Sequence, residues 1–177
     1  MSKRKRLRIK EQIDYGSFDP RCYHIFTDGS YRPEGNAACA YVIFSGKTQH
    51  VIRMERLAYR GGTINAMELQ AVNRALDHPG MDHVIIYSDS AYTISCLTLW
   101  RHTWAMNDWL TPLHQPVKNK ELIQEIARKI DNLTSFRCVK VKAHTGDPLN
   151  SVVDYLAQDL TKKMRDDPSL LDGPYSV

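Results

Sequence analysis

Nowhere among the 177 residues does an apolar run approach the ~20 that a membrane-spanning helix requires, which excludes a helical membrane protein. The basic start Met1-Ser2-Lys3-Arg4-Lys5-Arg6 is followed by no apolar region, which argues against a secretory signal. Cysteine is sparse and scattered: Cys22, Cys39, Cys96 and Cys138 make no C-x-x-C pair. That disfavours both a zinc site and a disulfide framework, and the thiols read as buried groups of a protein in a reducing, cytoplasmic compartment. No internal repeat is present. The length suits one well-packed domain and is too short for two ordinary ones. A hydrophobic content of 42% and a charged content of 25% belong to a globular protein.

The net charge of +4 is unevenly placed. Residues 1–12 hold six Lys or Arg and one Glu, whereas the remaining 165 residues hold 18 basic and 19 acidic groups. The basic character therefore belongs to the N-terminal tail. Such a tail either contacts nucleic acid or another anionic surface, or is simply solvated, and the charge count alone leaves both open.

Along the chain, Tyr23 to Thr27 reads as a strand, followed by turn residues from Asp28-Gly29-Ser30 to Asn36. Ala38 to Phe44 and His50 to Leu57 read as two more strands, completing an antiparallel meander. Ile64 to Asp77 is helical in pattern, and Val84 to Ser88 is a short, continuously apolar strand of the buried parallel kind. Ala91 to Trp100 is helical, 101–116 irregular or partly helical, and Glu121 to Asn132 helical. Phe136 to Lys142 makes a fifth strand and Ser151 to Arg165 a last helix. The pattern predicts one α/β domain: a mixed five-stranded sheet, three strands in a meander plus two parallel, flanked by helices. Residues 1–20 are then a basic extension, 21–165 the domain, and 166–177 a loose tail.

Four carboxylates stand out against this plan, because charged groups are rarely buried unless paired or bound to a metal. Ile64, Met67, Ala71, Val72 and Ala75 form the apolar stripe of their helix, and Glu68 points into its middle. Gln70, Asn73, Arg74 and Asp77 lie on the opposite face, so Arg74 is wrongly placed to neutralise it. A buried Glu satisfied by an Arg or by backbone remains the alternative. Asp28 and Asp89 each fall at the end of a strand, where an α/β sheet presents ligands, but where Asp is also an ordinary turn or cap residue. Asp154 lies about one turn inside the last helix if Asn150 or Ser151 caps it, a place that the helix dipole also favours. Several carboxylates converging would repel one another and call for a divalent cation, which suggests phosphoryl-transfer chemistry. His144, in Lys142-Ala143-His144-Thr145-Gly146-Asp147-Pro148, sits on a loop after the fifth strand, where a His can exchange protons near neutral pH or be merely solvated.

The ordered set Thr27-Asp28-Gly29-Ser30, Asn65-Ala66-Met67-Glu68-Leu69, Ser88-Asp89-Ser90, Pro116-Val117-Lys118-Asn119 and His144-Thr145-Gly146 with Asn150 and Asp154 resembles the type 1 ribonuclease H family over roughly residues 22–165. The four carboxylates are spaced by 40, 21 and 65 residues, as that family spaces them. The resemblance implies a ribonuclease H-like fold and cleavage of the RNA strand of an RNA–DNA hybrid, leaving 5′-phosphate and 3′-hydroxyl ends. It implies that Asp28, Glu68, Asp89 and Asp154 hold two Mg²⁺ ions, with Mn²⁺ as a substitute, and that His144 assists proton transfer and product release. Asn36, Asn65 and Ser90 match positions that contact the hybrid, and Thr63 and Asn119, beside Lys118, match a pocket for a DNA phosphate. Trp100, Trp104 and Trp109 match a segment that projects against the DNA strand, although they also suit a core. A monomer acting on the hybrid, with no membrane partner, is expected.

Two departures from the family qualify the resemblance. The projecting segment is usually rich in Lys and Arg, but here reads Ala105-Met106-Asn107-Asp108, with only Arg101, Lys118 and Lys120 nearby. The polar run that usually precedes the last carboxylate is Asn150-Ser151-Val152-Val153-Asp154. Another nuclease of the same fold, such as a resolvase, integrase or exonuclease, shares a carboxylate cluster but fits the Met67-Glu68-Leu69 helix and the His144 loop poorly. A non-catalytic hybrid-binding module predicts a lost carboxylate, and none is lost.

Overall fold

A computed structural model of the chain describes residues 18–142, 147–171 and 174–176, with side chains through residue 170. The centre of the fold is β1 (Tyr23–Tyr31), which pairs antiparallel with β2 (Asn36–Ser45) and parallel with β4 (His83–Ser88). β3 (His50–Arg60) extends the meander antiparallel to β2, and β5 (Ser135–Lys140) lies parallel to β4. The five expected strands are therefore present in the expected mixed arrangement. A sixth, β6 (Pro174–Ser176), pairs antiparallel with β3, giving the order β5-β4-β1-β2-β3-β6.

Strand alternation sends successive side chains to opposite faces, and both faces are covered. Ile25 of β1 and Cys39, Tyr41 and Ile43 of β2 join the core beneath α1 (Ile64–Ala75) and, later in the chain, α4 (Lys120–Asp131). Phe26 and Ala40, Val42 and Phe44 face the other way, against Leu149, Val152, Val153, Leu156 and Ala157 of α5 (Pro148–Asp166). Being sandwiched, β2 is buried at every residue and reads as a continuous apolar run. Fully buried side chains such as Phe26, Phe44, Leu69 and Ile86 each contribute roughly 1.5–3 kcal/mol by leaving water. No helix among the described residues is long and apolar enough to cross a membrane.

Several boundaries differ from expectation for identifiable reasons. β1 continues through Tyr31, because β2 pairs with it as far as Tyr31↔Ala37, so Asp28 lies inside the strand and not past its end. The last helix starts at Pro148 with Asp147 as its cap, the Asp147 carboxylate accepting from the N–H groups of Leu149 and Asn150 at 3.0 and 3.1 Å. Asp154 therefore sits in the second turn, where the dipole has largely faded. The 91–106 helix is not uniform: α2 (Ala91–Ser95) opens into a π turn over Cys96–Trp100 before α3 (Arg101–Met106). On α1, Ile64 is exposed, because it is the first helical residue. Asn73, placed by periodicity on the outer face, is buried because α4 covers it: Lys129 Nζ donates to Asn73 Oδ1 and Asn73 Nδ2 donates to Glu125. The expected loose tail instead makes a 3₁₀ turn over Pro168–Leu171, with Leu170 on the Ala38, Leu160 and Met164 cluster, and then β6. An open β3 edge would carry unpaired backbone groups, and β6 pairs those of Glu55, Arg56 and Leu57.

At the end of the sheet where the described chain begins, His24 is buried in an aromatic nest. Its ring centroid lies 4.6 Å from that of Phe18, and Tyr87 stacks on Phe26 at 4.5 Å. Nε2 of His24 lies 2.9 Å from the Asp19 carbonyl oxygen, which can only accept, so Nε2 carries the proton and Nδ1 accepts from the Tyr87 hydroxyl at 3.0 Å. Burial lowers the imidazole from its ordinary 6.5. A folded state that refuses a proton the unfolded chain binds loses stability as pH falls below that value. Urea denaturation at about pH 7 and about pH 5.5 is expected to show His24→Gln retaining more of its stability on acidification than the parent chain, since glutamine offers a donor and an acceptor and does not titrate.

Candidate active site

The site is assembled by a close approach of strand and helix. A methyl group placed on Gly29 would lie 2.7 Å from the Glu68 backbone nitrogen and 2.9 Å from Met67 Cβ, so only glycine lets α1 rest on β1 here. Thr63 sets where the helix begins, its hydroxyl accepting from the Ala66 N–H at 3.1 Å. One turn later Glu68 arrives beside Asp28, both buried. Asp89 joins from the residue after β4, held by the Ser88–Ser90 turn, in which the Ser90 N–H donates to Ser88 Oγ, and Ser90 Oγ caps α2. One carboxylate oxygen from each of Asp28, Glu68 and Asp89 lies within 4.8 Å of the others. Asp154 stands outside that trio, on α5, where the Gln158 amide donates to Oδ1.

Burial, then the negative charges of Asp89 and Asp154, pushes the Asp28 carboxyl up to about 8. Burial, then the charges of Asp28 and Asp89, raises Glu68 well above its usual range. The Gly29 N–H works against both shifts, and a proton on Glu68 is directed at Asp28, lowering the one while raising the other. Oε2 of Glu68 is buried and receives no N–H or O–H. A buried acceptor without a donor, among carboxylates that cannot all ionise together, fits a hard divalent cation. The converging donor set is all oxygen, with no His or Cys, which suits Mg²⁺. Asp28, Glu68 and Asp89 could hold such an ion, with Asp154 alongside.

The other predicted residues fall in several places. Asn36 is buried at the start of β2, and its Oδ1 has no hydrogen-bond partner. Thr63 and Asn65 are exposed at the start of α1, and Lys118 is exposed. Asn119 adopts the left-handed conformation at φ 60 before α4, and its Nδ2 donates to the Tyr92 hydroxyl at 3.1 Å. Tyr92, Trp100, Trp104 and Trp109 form a chain of rings 6.1, 5.6 and 6.3 Å apart. Trp100 is 37% exposed, while Trp104 and Trp109 are partly buried and pack on the core. His144 lies outside the described residues. Sequence reasoning missed Tyr92, which ties Asn119 to the tryptophans, and nothing local marks it. It also missed Gln158, although its position four residues after Asp154 on a helix was a usable signal.

The family model for RNase H matches residues 20–162. Among relatives, the chain is 36% identical over 148 residues to a Ribonuclease H of Anaeromyxobacter dehalogenans, covering 75% of this chain and 76% of that protein. It is 38% identical over 142 residues to a Ribonuclease H of Clostridium botulinum, covering 76% and 92%. A Ribonuclease H of Treponema denticola is 33% identical over 159 residues, covering 79% and 97%. Among solved structures, LC9-RNase H1, a type 1 RNase H with the type 2 active-site motif, superposes with a TM-score of 0.67 at 22% identity, over 82% of this chain and 74% of that one. RNase H1 from Halobacterium salinarum does so with a TM-score of 0.59 at 19% identity, over 80% and 98%. These structures share the fold.

The electrostatics predict an unusual pH dependence without metal. A carboxyl raised from 3.8 to about 8 keeps a proton that the unfolded chain releases, so stability falls as pH rises through that window. In EDTA, unfolding free energy measured by urea denaturation should decline from about pH 4 to about pH 8, and Asp28→Asn should flatten that decline and be the more stable protein at the upper end. Parallel pH profiles would count against the repulsion.

Proposed function

Because the chain belongs to the RNase H family, we propose that it is an endonuclease that hydrolyses the RNA strand of RNA–DNA hybrids, leaving 5′-phosphate and 3′-hydroxyl ends. The observation that carries this reading is the convergence of Asp28, Glu68 and Asp89 oxygens within 4.8 Å of one another, with Glu68 Oε2 buried and without a donor. Asp28, Glu68, Asp89 and Asp154 would hold two Mg²⁺ ions, which Mn²⁺ can replace. The chemistry that bound ions supply there is activation of a water and stabilisation of the leaving 3′-oxygen in an in-line displacement.

The chain's own groups do the rest. The four carboxylates, ionised when the cations neutralise them, fix the scissile phosphate's place at the end of the sheet. His144 handles protons and aids product release. Asn36, Asn65 and Ser90 read 2′-hydroxyls, which distinguish RNA from DNA. Thr63 and Asn119, with Lys118 nearby, hold a phosphate of the DNA strand, and Trp100 and Trp104 present aromatic surface to it. The protein acts as a cytoplasmic monomer, in keeping with four unpaired thiols. A non-catalytic hybrid-binding module would have no need of four retained carboxylates.

Cleavage of matched RNA–DNA hybrid, duplex DNA and single strands in Mg²⁺ tests the proposal: the hybrid alone should be cut, in its RNA strand, and cutting should stop with EDTA. Folded Asp28→Asn should be inactive, whereas His144→Ala should lose about 10²–10⁴-fold in turnover and stay measurable, as a proton-handling group contributes. Equal loss in both variants would give His144 a larger role than proton transfer.

Removal of residues 1–12 takes away the basic excess of the chain. Weaker hybrid binding is expected, with little change in saturated turnover. The log–log salt slope should become shallower by roughly 0.7–0.9 for each phosphate that the tail no longer neutralises. Superimposable titrations of the two proteins at several salt concentrations would leave the tail without a part in capture.

A further inference from the structure

On α5, Asp154, Gln158 and Thr161 are spaced by four and three residues and so share one helix face. Each is tied to the next or to the sheet. The Gln158 Nε2 amide donates to Asp154 Oδ1. The Thr161 hydroxyl donates to the Gln158 carbonyl at 2.9 Å, which spends its single proton, so the Ser30 hydroxyl is the donor in the buried 3.0 Å bond between Ser30 Oγ and Thr161 Oγ1. Ser30 follows Asp28 by two residues and lies on the same face of β1. The Arg56–Asp159 ion pair at 2.7 Å clamps the adjacent face of α5 to β3.

A continuous polar path thus runs from the strand that carries Asp28 to the carboxylate that the trio lacks. We propose that Gln158 is a positioning residue that orients the Asp154 carboxylate for the cation it shares with Asp28, from a helix whose distance to β1 is set by the Ser30–Thr161 bond. A neutral amide suits this role, because it fixes the rotamer of the carboxylate without itself neutralising it, whereas a lysine or arginine would compete with the ion. Partners one step removed from a metal ligand typically change affinity by about 10–100-fold when removed.

The inference rests on the reading that these carboxylates bind Mg²⁺, and one set of titrations separates the two. Gln158→Met keeps the length of the side chain and a helix-favouring residue but removes the donor. Mg²⁺ is titrated into the parent and variant proteins without nucleic acid, followed by calorimetry and by the rise in Tm with Mg²⁺ concentration. The expected result is an Mg²⁺ affinity about 10–100-fold weaker in Gln158→Met. The metal-free Tm should move by no more than ~2 °C, as for a substitution outside the core. In turnover assays, the Mg²⁺ concentration for half-maximal rate should rise while the rate at saturating Mg²⁺ changes little. Equal Mg²⁺ affinity in the two proteins overturns the role of Gln158 while leaving the metal site standing. No Mg²⁺ binding by the parent chain overturns the metal site and the positioning role with it.

Discussion

Buried carboxylates placed side by side oppose folding, and the organisation of this protein turns on how that opposition is contained. Asp28 and Glu68 lose hydration and face one another and Asp89, so each favours its protonated form. Such a cluster persists only if the scaffold is stable enough to impose it. Here the scaffold is a sheet buried on both faces, with β2 enclosed along its whole length. The absence of a side chain at Gly29 lets α1 lie on β1, and any larger residue would push Glu68 away from Asp28. Apolar packing thereby supports an arrangement that is unfavourable while the carboxylates stay unneutralised, as functional sites commonly require.

The same layout separates the roles of the two ends of the domain. The carboxylates gather toward one end of the central strands, while the aromatic nest of Phe18, His24 and Phe44 closes the opposite end. The rings of Tyr92, Trp100, Trp104 and Trp109 run along the helical segment, which includes a π turn of the kind often found at functional positions. Asn119 is linked to this aromatic chain through Tyr92. The exposed Trp100 and the residue before α4 are thus linked through Tyr92. This region offers little positive charge, in keeping with the concentration of charge in the N-terminal tail.

Hydrophobic pattern and motif order made much of this legible before any coordinates. The continuous apolar run of β4, the meander and the misplaced Glu68 all followed from local periodicity, and Arg74 does turn away, pairing with Asp77 at 3.5 Å. Periodicity failed where a second element intervened. Asn73 is polar and was placed outside, yet α4 covers it and supplies both donor and acceptor. The extent of β1 beyond Thr27 depends on pairing with β2, and the C-terminal strand depends on the open edge of β3. The turn residues between Tyr31 and Asn36 hid the first pairing, and the partners of the second, Leu57 and Pro174 among them, lie far apart in the chain.

What the sequence by itself determined is the inventory: which residues are apolar, their spacing in strands and helices, and the four carboxylates in an order that resembles that of the RNase H family. Those properties are local, because side-chain chemistry and backbone preference act within a few residues. Only the tertiary structure decided which oxygens meet. Asp28, Glu68 and Asp89 are brought within 4.8 Å by strand pairing and by helix contact at Gly29, while Asp154 is held on its own helix by Gln158. Convergence of that kind is a long-range property. It comes from packing elements far apart in the chain against one sheet, and it is the packing that gives the carboxylates their altered proton affinity.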